Sequence, residues 1–211
     1  MGSNNDVGIS DRVLVTGFGP FGTHEINASW EAVKLLPNTG IEKELNISLI
    51  VHEIPVEYDY VKRNIPILWQ VYKPKLTIHV GVSGSAHEVN LERQAFNSGY
   101  KSRDNCDCVP VDNQCIPGAP DCVQTGLNMG LVCQQMIDSS CEVTACVSDD
   151  PGRFLCDYIY YSSLNIDASR AAFIHVPVLG KPYTALQLAQ ALKIAIKSML
   201  EQVRANDAKH S

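Results

Sequence analysis

The chain has 211 residues, of which 45% are hydrophobic and 19% charged, and its formal net charge is −6 at pH 7. This length and apolar content favour one domain over residues 1–211, and the acidic charge argues against nucleic acid or an anionic membrane as partner. The polar start, MGSNNDVGIS, resembles no signal peptide, and no apolar run approaches the roughly 20 residues that span a bilayer. We therefore expect a soluble, cytosolic protein with residues 1–11 disordered.

Seven of the eight cysteines lie between residues 106 and 146, and Cys156 stands apart. In a secreted chain an even number would suggest disulfides, but a reducing cytosol favours free thiols. The spacings do not match the roughly two to four residues that separate paired zinc ligands, and no histidine lies nearby. We expect neither a metal site nor a cofactor.

Strand-like and helix-like segments alternate along the chain. Buried or alternating apolar runs predict strands at 12–16, 47–54, 75–82, 88–96, 142–148 and 171–177. Helical patterns cover 28–36, 57–72, 125–138 and 151–164 and recur after residue 184. Asn27 can cap the first helix, and Pro66 should kink or divide the second. The alternation predicts a three-layer α/β/α sandwich, a mostly parallel mixed sheet with helices on both faces.

The last helix and the segment 101–124 differ most in regularity. Thr184 and Gln187 form a capping box before an apolar stripe with helical spacing. The stripe consists of Leu188, Leu192, Ala195, Met199 and Val203. Residues 101–124 are rich in Asp, Asn, Pro and Cys and have no period, which predicts a long loop that serves as a lid or a mobile surface excursion.

The segment VLVTGFGPFG ends the first strand in a G-x-G-x-x-G pattern, from Gly17 to Gly22, which can indicate a dinucleotide site and hence an NAD-dependent oxidoreductase. The pattern fits poorly, because the helix begins only near Ala28 and a proline removes one backbone donor from the turn. Glu53, the candidate ribose ligand, also lies too far from Gly17. Two alternatives stay open: a tight turn lined by core phenylalanines, or an apolar wall for a small, flat, uncharged ligand.

The segment SDDPGRFLCDYIYY suggests a nucleophile. Asp150 is a suitable N-cap and Pro151 a suitable first helical residue, so Cys156 would lie in the second turn of a helix. The positive end of the helix dipole favours a thiolate there, and the thiolate is the reactive form of cysteine. Considered alone, a buried and inert cysteine is the alternative.

Two further residues would complete a catalytic group. His175 ends an apolar strand, and the carboxyl ends of strands are where α/β proteins build their sites. With Cys156 it becomes a candidate general base, and Glu92, which faces away from Val89 and Leu91, could accept its other N–H. Each alone has a simpler interpretation, a structural histidine and a solvated acid.

Seven segments together resemble the pyroglutamyl-peptidase I family, cytosolic cysteine omega-peptidases that remove N-terminal pyroglutamate. They are TGFGPFG, NASW, EIPVEY, HVGVSG, LER, GRFLCDYIYYSSL and HVPVLGKPY, in collinear order within residues 12–204. The likeness is greater to animal members than to bacterial ones. It implies that pyroglutamyl peptides are the substrates and that Cys156, His175 and Glu92 form a Cys-His-Glu triad. Because the family includes monomers and tetramers, it leaves a homo-oligomer open.

The resemblance also assigns a substrate pocket. It implies that Phe18 and Phe21 flank the pyroglutamyl ring and that Phe154 and Leu155 complete the pocket. A flat, neutral, half-apolar lactam suits aromatic walls. Bacterial members carry a lactam-binding glutamine where this chain has Val82, so the lactam would need other partners, such as backbone groups. An alternative function is therefore non-catalytic binding of pyroglutamyl-blocked peptides, although the complete triad argues against it.

Overall fold

The fold is organised around a mixed sheet of six strands in a computed structural model that describes residues 10–22 and 25–210. The strands of this sheet are β1 (Asp11–Phe18), β2 (Ile47–Ile54), β3 (Leu76–Ser83), β4 (Val89–Glu92), β7 (Ala145–Ser148) and β8 (Ala171–Pro177). Their order is β2-β1-β3-β8-β4-β7, and every neighbouring pair is parallel except β4 with β8. Two short antiparallel strands, β5 (Gln94–Phe96) and β6 (Cys122–Gln124), pair separately.

Helices cover both faces of the sheet, which confirms the predicted three-layer α/β/α architecture. They are α1 (Ala28–Val33), α2 (Ile41–Leu45), α3 (Tyr58–Tyr72), α4 (Met129–Ile137), α5 (Leu155–Asp167) and α6 (Ala185–His210), with 3-10 turns at Leu36–Thr39 and Val111–Asn113. Helices α1, α4 and α6 pack on one face and share one apolar core with it. Helices α3 and α5 pack on the other face, which carries the second core.

The helix α6 shows how closely a local pattern can determine an element. The Thr184 N–H donates to Gln187 Oε1 over 2.9 Å, and the Gln187 N–H donates back to Thr184 Oγ1 over 3.3 Å, so the predicted capping box forms. All five residues of the predicted apolar stripe are buried, at 2% exposure or less. Burial of this stripe against the sheet explains why the helix, which has 26 residues in all, continues as far as Val203.

Several predicted bounds are wrong. The predicted strand 88–96 is two strands in two sheets, because β4 pairs with β7 and β8 whereas β5 turns away to pair with β6 after Arg93. The predicted helix 28–36 ends at Val33 as an α-helix, since a 3-10 turn begins at Leu36 and its second residue, Pro37, has no N–H to continue the α-helical bonds. Helix α3 contains Pro66 without being divided there. Within 101–124, the last three residues belong to β6 rather than to a loop.

The sequence predicts disorder over residues 1–11, of which residues 1–9 lie outside the described residues. Of the two described residues, Ser10 and Asp11, the prediction is wrong for Asp11. Asp11 begins β1 in register with Ile47. Its carboxylate accepts a hydrogen bond of 2.8 Å from Arg204 Nε on α6, which ties the start of the sheet to the last helix. All eight cysteines are free. Among the described helices, none is long and apolar enough to cross a membrane.

The sheet face under α3 and α5 buries a polar network in its middle. His79 on β3 is fully buried between two hydroxyls, with Thr16 Oγ1 2.7 Å from Nδ1 and Ser163 Oγ 2.7 Å from Nε2. Trp69 Nε1 donates to the same Ser163 oxygen over 3.0 Å. Burial lowers the pKa of His79 to about 3, so this imidazole is neutral and joins β1, β3, α3 and α5.

Candidate active site

The candidate nucleophile, Cys156, is the second residue of α5 and is half-buried. The predicted helix start at residue 151 is wrong: Gly152 adopts φ +82°, which ends any helical path, and extended Phe154 is the N-cap. Asp150 instead accepts hydrogen bonds from the Gly152 N–H and from Arg153. Cys156 therefore lies in the first turn of the helix rather than in the second. Backbone N–H groups of the first turn have no intrahelical acceptor.

The imidazole of His175 is fixed by Glu92. Antiparallel pairing of β4 with β8 brings these residues together, and His175 Nδ1–H donates to Glu92 Oε1 over 2.8 Å. Both side chains are buried, with residue exposures of 7% and 1%. The alternative interpretation of Glu92 as a solvated acid is thus excluded. Because Nδ1 is engaged by the carboxylate, Nε2 is the ring nitrogen left for chemistry.

Electrostatics favour a charged imidazole at this position. Burial by itself lowers the pKa of His175, but the negative charge and hydrogen bonding of Cys156, followed by those of Glu92, outweigh it and raise the pKa to about 10. Oε2 of Glu92 is buried and receives no hydrogen bond from the described part of the chain. Among the described residues, no donor on Oε2 therefore competes with His175 for the carboxylate. Such a pairing of cysteine, histidine and carboxylate suits a thiolate nucleophile with an imidazolium acid.

The thiol approaches the sheet at a glycine. Gly81 on β3 lies beside His175 in the parallel register with β8. A Cβ added to Gly81 would lie 2.7 Å from the Cys156 sulfur and 2.7 Å from the ring of Phe173, so any side chain there would collide with both. This requirement escaped sequence reasoning, since nothing in HVGVSG shows which glycine faces the helix.

Beside the thiol lies a small apolar cavity of about 50 Å³. The four predicted pocket residues, Phe18, Phe21, Phe154 and Leu155, all line it together with Cys156. Sequence reasoning did not find Asn27 and Val56 as lining residues. Its aromatic walls suit a flat, uncharged ring, and so small a space does not suit a nucleotide. We name this cavity the ring pocket.

The first glycine of the GFGPFG turn has a packing role. A Cβ on Gly17 would lie 2.8 Å from the backbone of Trp30, so this glycine lets α1 approach β1 closely. The Asn27 side chain caps α1 by accepting the Ser29 N–H and donates to the Gly19 carbonyl over 2.9 Å. The turn is thus held against α1 with its aromatic rings on the ring pocket, and these bonds fix the orientation of the Asn27 amide.

The cysteine-rich segment also reaches the ring pocket. Asn105 donates from Nδ2 to the Pro20 carbonyl over 3.0 Å, and its backbone N–H donates to the Val56 carbonyl. Asp104, which is buried, accepts the Tyr58 N–H over 2.8 Å at the start of α3. These bonds join the turn after β1 to the segment after β2, two walls of the ring pocket. The composition of the loop did not indicate this contact.

A buried acid directly follows the nucleophile. Asp157 is fully buried, and its carboxylate accepts hydrogen bonds from the Phe96 N–H over 2.9 Å and from the Tyr100 hydroxyl over 3.2 Å. Burial raises its pKa to about 7, and these hydrogen bonds together with Arg153 oppose the shift. Asp157 therefore anchors the first turn of α5 to β5. Within residues 10–22 and 25–210, no group of three or more His, Cys, Asp or Glu could hold a metal ion.

Comparisons with known proteins show the family of this chain. A model of the pyroglutamyl peptidase family matches residues 11–207. The chain belongs to this family. Human pyroglutamyl-peptidase 1 is 45% identical over 197 residues, which cover 93% of each chain. Pyroglutamyl-peptidase 1 of the rat is 47% identical over 188 residues, 89% of each chain.

The fold is also that of solved family members. The crystal structure of pyroglutamyl peptidase I from Bacillus amyloliquefaciens superposes with a TM-score of 0.81 at 26% identity, covering 90% of this chain and 97% of that one. Pyrrolidone carboxyl peptidase from Thermococcus litoralis gives a TM-score of 0.80 at 22% identity over 93% and 96% of the two chains. At that identity the second likeness concerns the fold alone.

Proposed function

We propose that this protein removes the N-terminal pyroglutamyl residue from peptides, with Cys156 as nucleophile, His175 as acid and base, and Glu92 as the group that orients His175. One observation carries the proposal. The Cys156 thiol and the His175–Glu92 pair meet at the edge of an apolar cavity with aromatic walls. A neutral lactam fits such walls, and the adjacent carbonyl would then lie at the sulfur.

In the first stage the Cys156 thiolate attacks the carbonyl carbon of pyroglutamate and forms a carbon–sulfur bond. The negative charge moves to the carbonyl oxygen. The backbone N–H of Cys156, at the start of α5, is one donor that can stabilise it. The carbon–nitrogen bond then breaks as the imidazolium of His175 gives its Nε2 proton to the leaving amine.

In the second stage a water molecule attacks the thioester while His175 takes its proton. The carbon–sulfur bond breaks, free pyroglutamate leaves, and the thiolate–imidazolium pair is restored. Glu92 holds the ring orientation through Nδ1 and stabilises the imidazolium. The lactam partners are proposed to be backbone groups, because Val82 has no polar side chain and the Asn27 amide already bonds to Ser29 and to the Gly19 carbonyl.

We also place the protein in the cytoplasm. The eight free thiols, including the exposed Cys106 and Cys108, are compatible with a reducing compartment. An oxidising compartment would promote disulfide formation by such exposed cysteines, which are separated by a single residue.

The test uses the reduced full chain and a pyroglutamyl fluorogenic amide, with the unblocked glutamyl amide as the substrate control and Cys156→Ser as the variant control. We expect release only from the pyroglutamyl substrate and only by the chain with Cys156. A folded, reduced protein that releases nothing would contradict the proposed activity. Equal release by Cys156→Ser would contradict the assigned nucleophile.

A further inference from the structure

A second, larger cavity adjoins the ring pocket. Its volume is about 320 Å³, against about 50 Å³ for the ring pocket. Phe21 and Val82 line both, so the two cavities meet at these two side chains. A volume of this size is typical of a site for an organic group rather than of a packing defect. We name it the outer cavity.

The order of the strands gives the direction from one cavity to the other. The ring pocket is bounded by Phe18 on β1 and by Val56, which follows β2. The Cys156 sulfur lies against β3, and His175 lies on β8, the next strand in the sheet. A substrate whose ring occupies the ring pocket therefore continues from the thiol toward β8.

The outer cavity lies at the carboxyl ends of β3 and β8, which such a substrate reaches beyond the thiol, and its walls Val82 and Leu179 pack against the core under α1 and α6. Besides the two shared side chains, its walls include Val178 and Leu179, which directly follow β8. His175 must protonate the leaving nitrogen, so this nitrogen has to lie next to the imidazole. The residue that carries the nitrogen is the one after pyroglutamate, and its side chain begins one carbon further on, toward the same end of β8.

The lining of the outer cavity defines the chemistry it would accept. Every described residue that lines it is apolar or glycine. Ile26 at its edge is 67% exposed, and Val178 and Leu179 are partly exposed. A large apolar side chain would bury this surface, whereas a carboxylate would lose hydration without gaining a partner among these residues.

We propose that the outer cavity binds the side chain of the residue after pyroglutamate and selects large apolar side chains such as leucine. The inference rests on the proposed function and adds a substrate preference to it. Burial of a leucine side chain raises kcat/KM relative to glycine by about tenfold or more, and aspartate in the same position falls below glycine.

The experiment compares kcat/KM for three peptides that differ only in this residue: leucine, glycine or aspartate. The probe variant is Ile26→Ser, and the matched control is Ile67→Ser. Ile67 is also an exposed isoleucine, 51% exposed, but it lies on α3 and lines neither cavity. The leucine-to-glycine ratio should exceed about ten in the wild type and fall about threefold to fivefold in Ile26→Ser. It should not change in Ile67→Ser.

Four results would overturn the proposal, and they identify three different failures. Cleavage of all three peptides with a ratio near one would exclude the selective cavity while leaving the proposed function intact. An unchanged ratio in Ile26→Ser, or an equal fall in Ile67→Ser, would exclude the outer cavity as its source. Failure to cleave any of the peptides would contradict the proposed function itself, and the subsite with it.

Discussion

Two buried histidines on one face of the sheet show how neighbours decide the role of a residue. His79 on β3 and His175 on β8 lie only two register positions apart, since His79 pairs with Phe173 and Gly81 with His175. Hydroxyls surround His79, and burial lowers its pKa to about 3. A thiol and a carboxylate flank His175, and they raise its pKa to about 10. Burial alone yields a neutral structural histidine, and buried charge partners yield a protonated one.

One helix supplies a partner to each histidine. Ser163 of α5 contacts His79, and Cys156, seven residues earlier, lies at His175. Seven residues are about two helical turns, so both side chains project from one face of α5 toward the sheet. The same helix is thus anchored in the middle of the sheet and reactive at its N-terminus. The predictions below test this division from the largest expected effect to the smallest.

Replacing either histidine should separate catalysis from stability. His175→Ala should lower kcat/KM about 10⁴-fold or more, because it removes the acid and base. His79→Ala should leave kcat/KM of the folded protein within a few-fold and lower the free energy of unfolding by about 2–4 kcal/mol, since two hydroxyls and a void remain. Kinetics and urea unfolding of both variants provide the measurement. A comparable activity loss in the two variants would contradict the division.

Glu92→Gln should lower kcat by up to about 10⁴-fold, and by no more than loss of His175, because the amide leaves the ring in place but can favour the wrong tautomer and cannot stabilise the imidazolium charge. The carboxylate is one cause of the raised pKa of His175, so its removal should let the imidazolium lose its proton at lower pH. The alkaline limb of kcat/KM should therefore move toward neutral pH. Profiles between pH 5 and 11 provide the comparison, and an unchanged limb would exclude Glu92 as a cause.

Gly81→Ala should displace the thiol from its position beside His175 without changing any polar group. The new Cβ would meet the Cys156 sulfur and the Phe173 ring, so we expect a loss of kcat of roughly 10- to 100-fold and destabilisation of about 1–3 kcal/mol. Gly130→Ala on α4, at the opposite face, serves as the control and should leave the kinetics unchanged. Wild-type kcat in Gly81→Ala would show that the thiol does not need this close approach.

The neutral state of His79 should appear in the acid stability of the protein. Between pH 6.5 and about 3 the unfolded chain binds a proton at this residue and the native state does not, so stability falls as the pH falls. The expected slope is up to about 1.4 kcal/mol per pH unit from this group. Urea unfolding at pH 6.5 and 5 gives the change in the free energy of unfolding per pH unit. This slope should be smaller in His79→Gln than in the wild type, by up to the amount given above. Identical slopes would mean that His79 is protonated in the fold.

The cysteine-rich segment marks where sequence reasoning found less than the structure contains. Its composition predicts a loop but not that Asn105 bonds to the Pro20 carbonyl beside the ring pocket. The sequence also did not predict the burial of Asp157. Its carboxylate bonds to β5 and to Tyr100, which are distant in sequence. Contacts between segments separated by tens of residues have no local pattern, because packing and not periodicity creates them.

The sequence by itself determined the alternation of strands and helices, the capping of α6, and the residue types that carry the chemistry, since periodicity, caps and motifs are local properties of the chain. Only the tertiary structure decided that β4 runs antiparallel beside β8 and so delivers Glu92 to His175. It also decided that helix α5 begins at Leu155 and that Gly81 admits the sulfur. These features depend on which strands become neighbours, and strand pairing is settled by burial of the whole sheet rather than by any one segment.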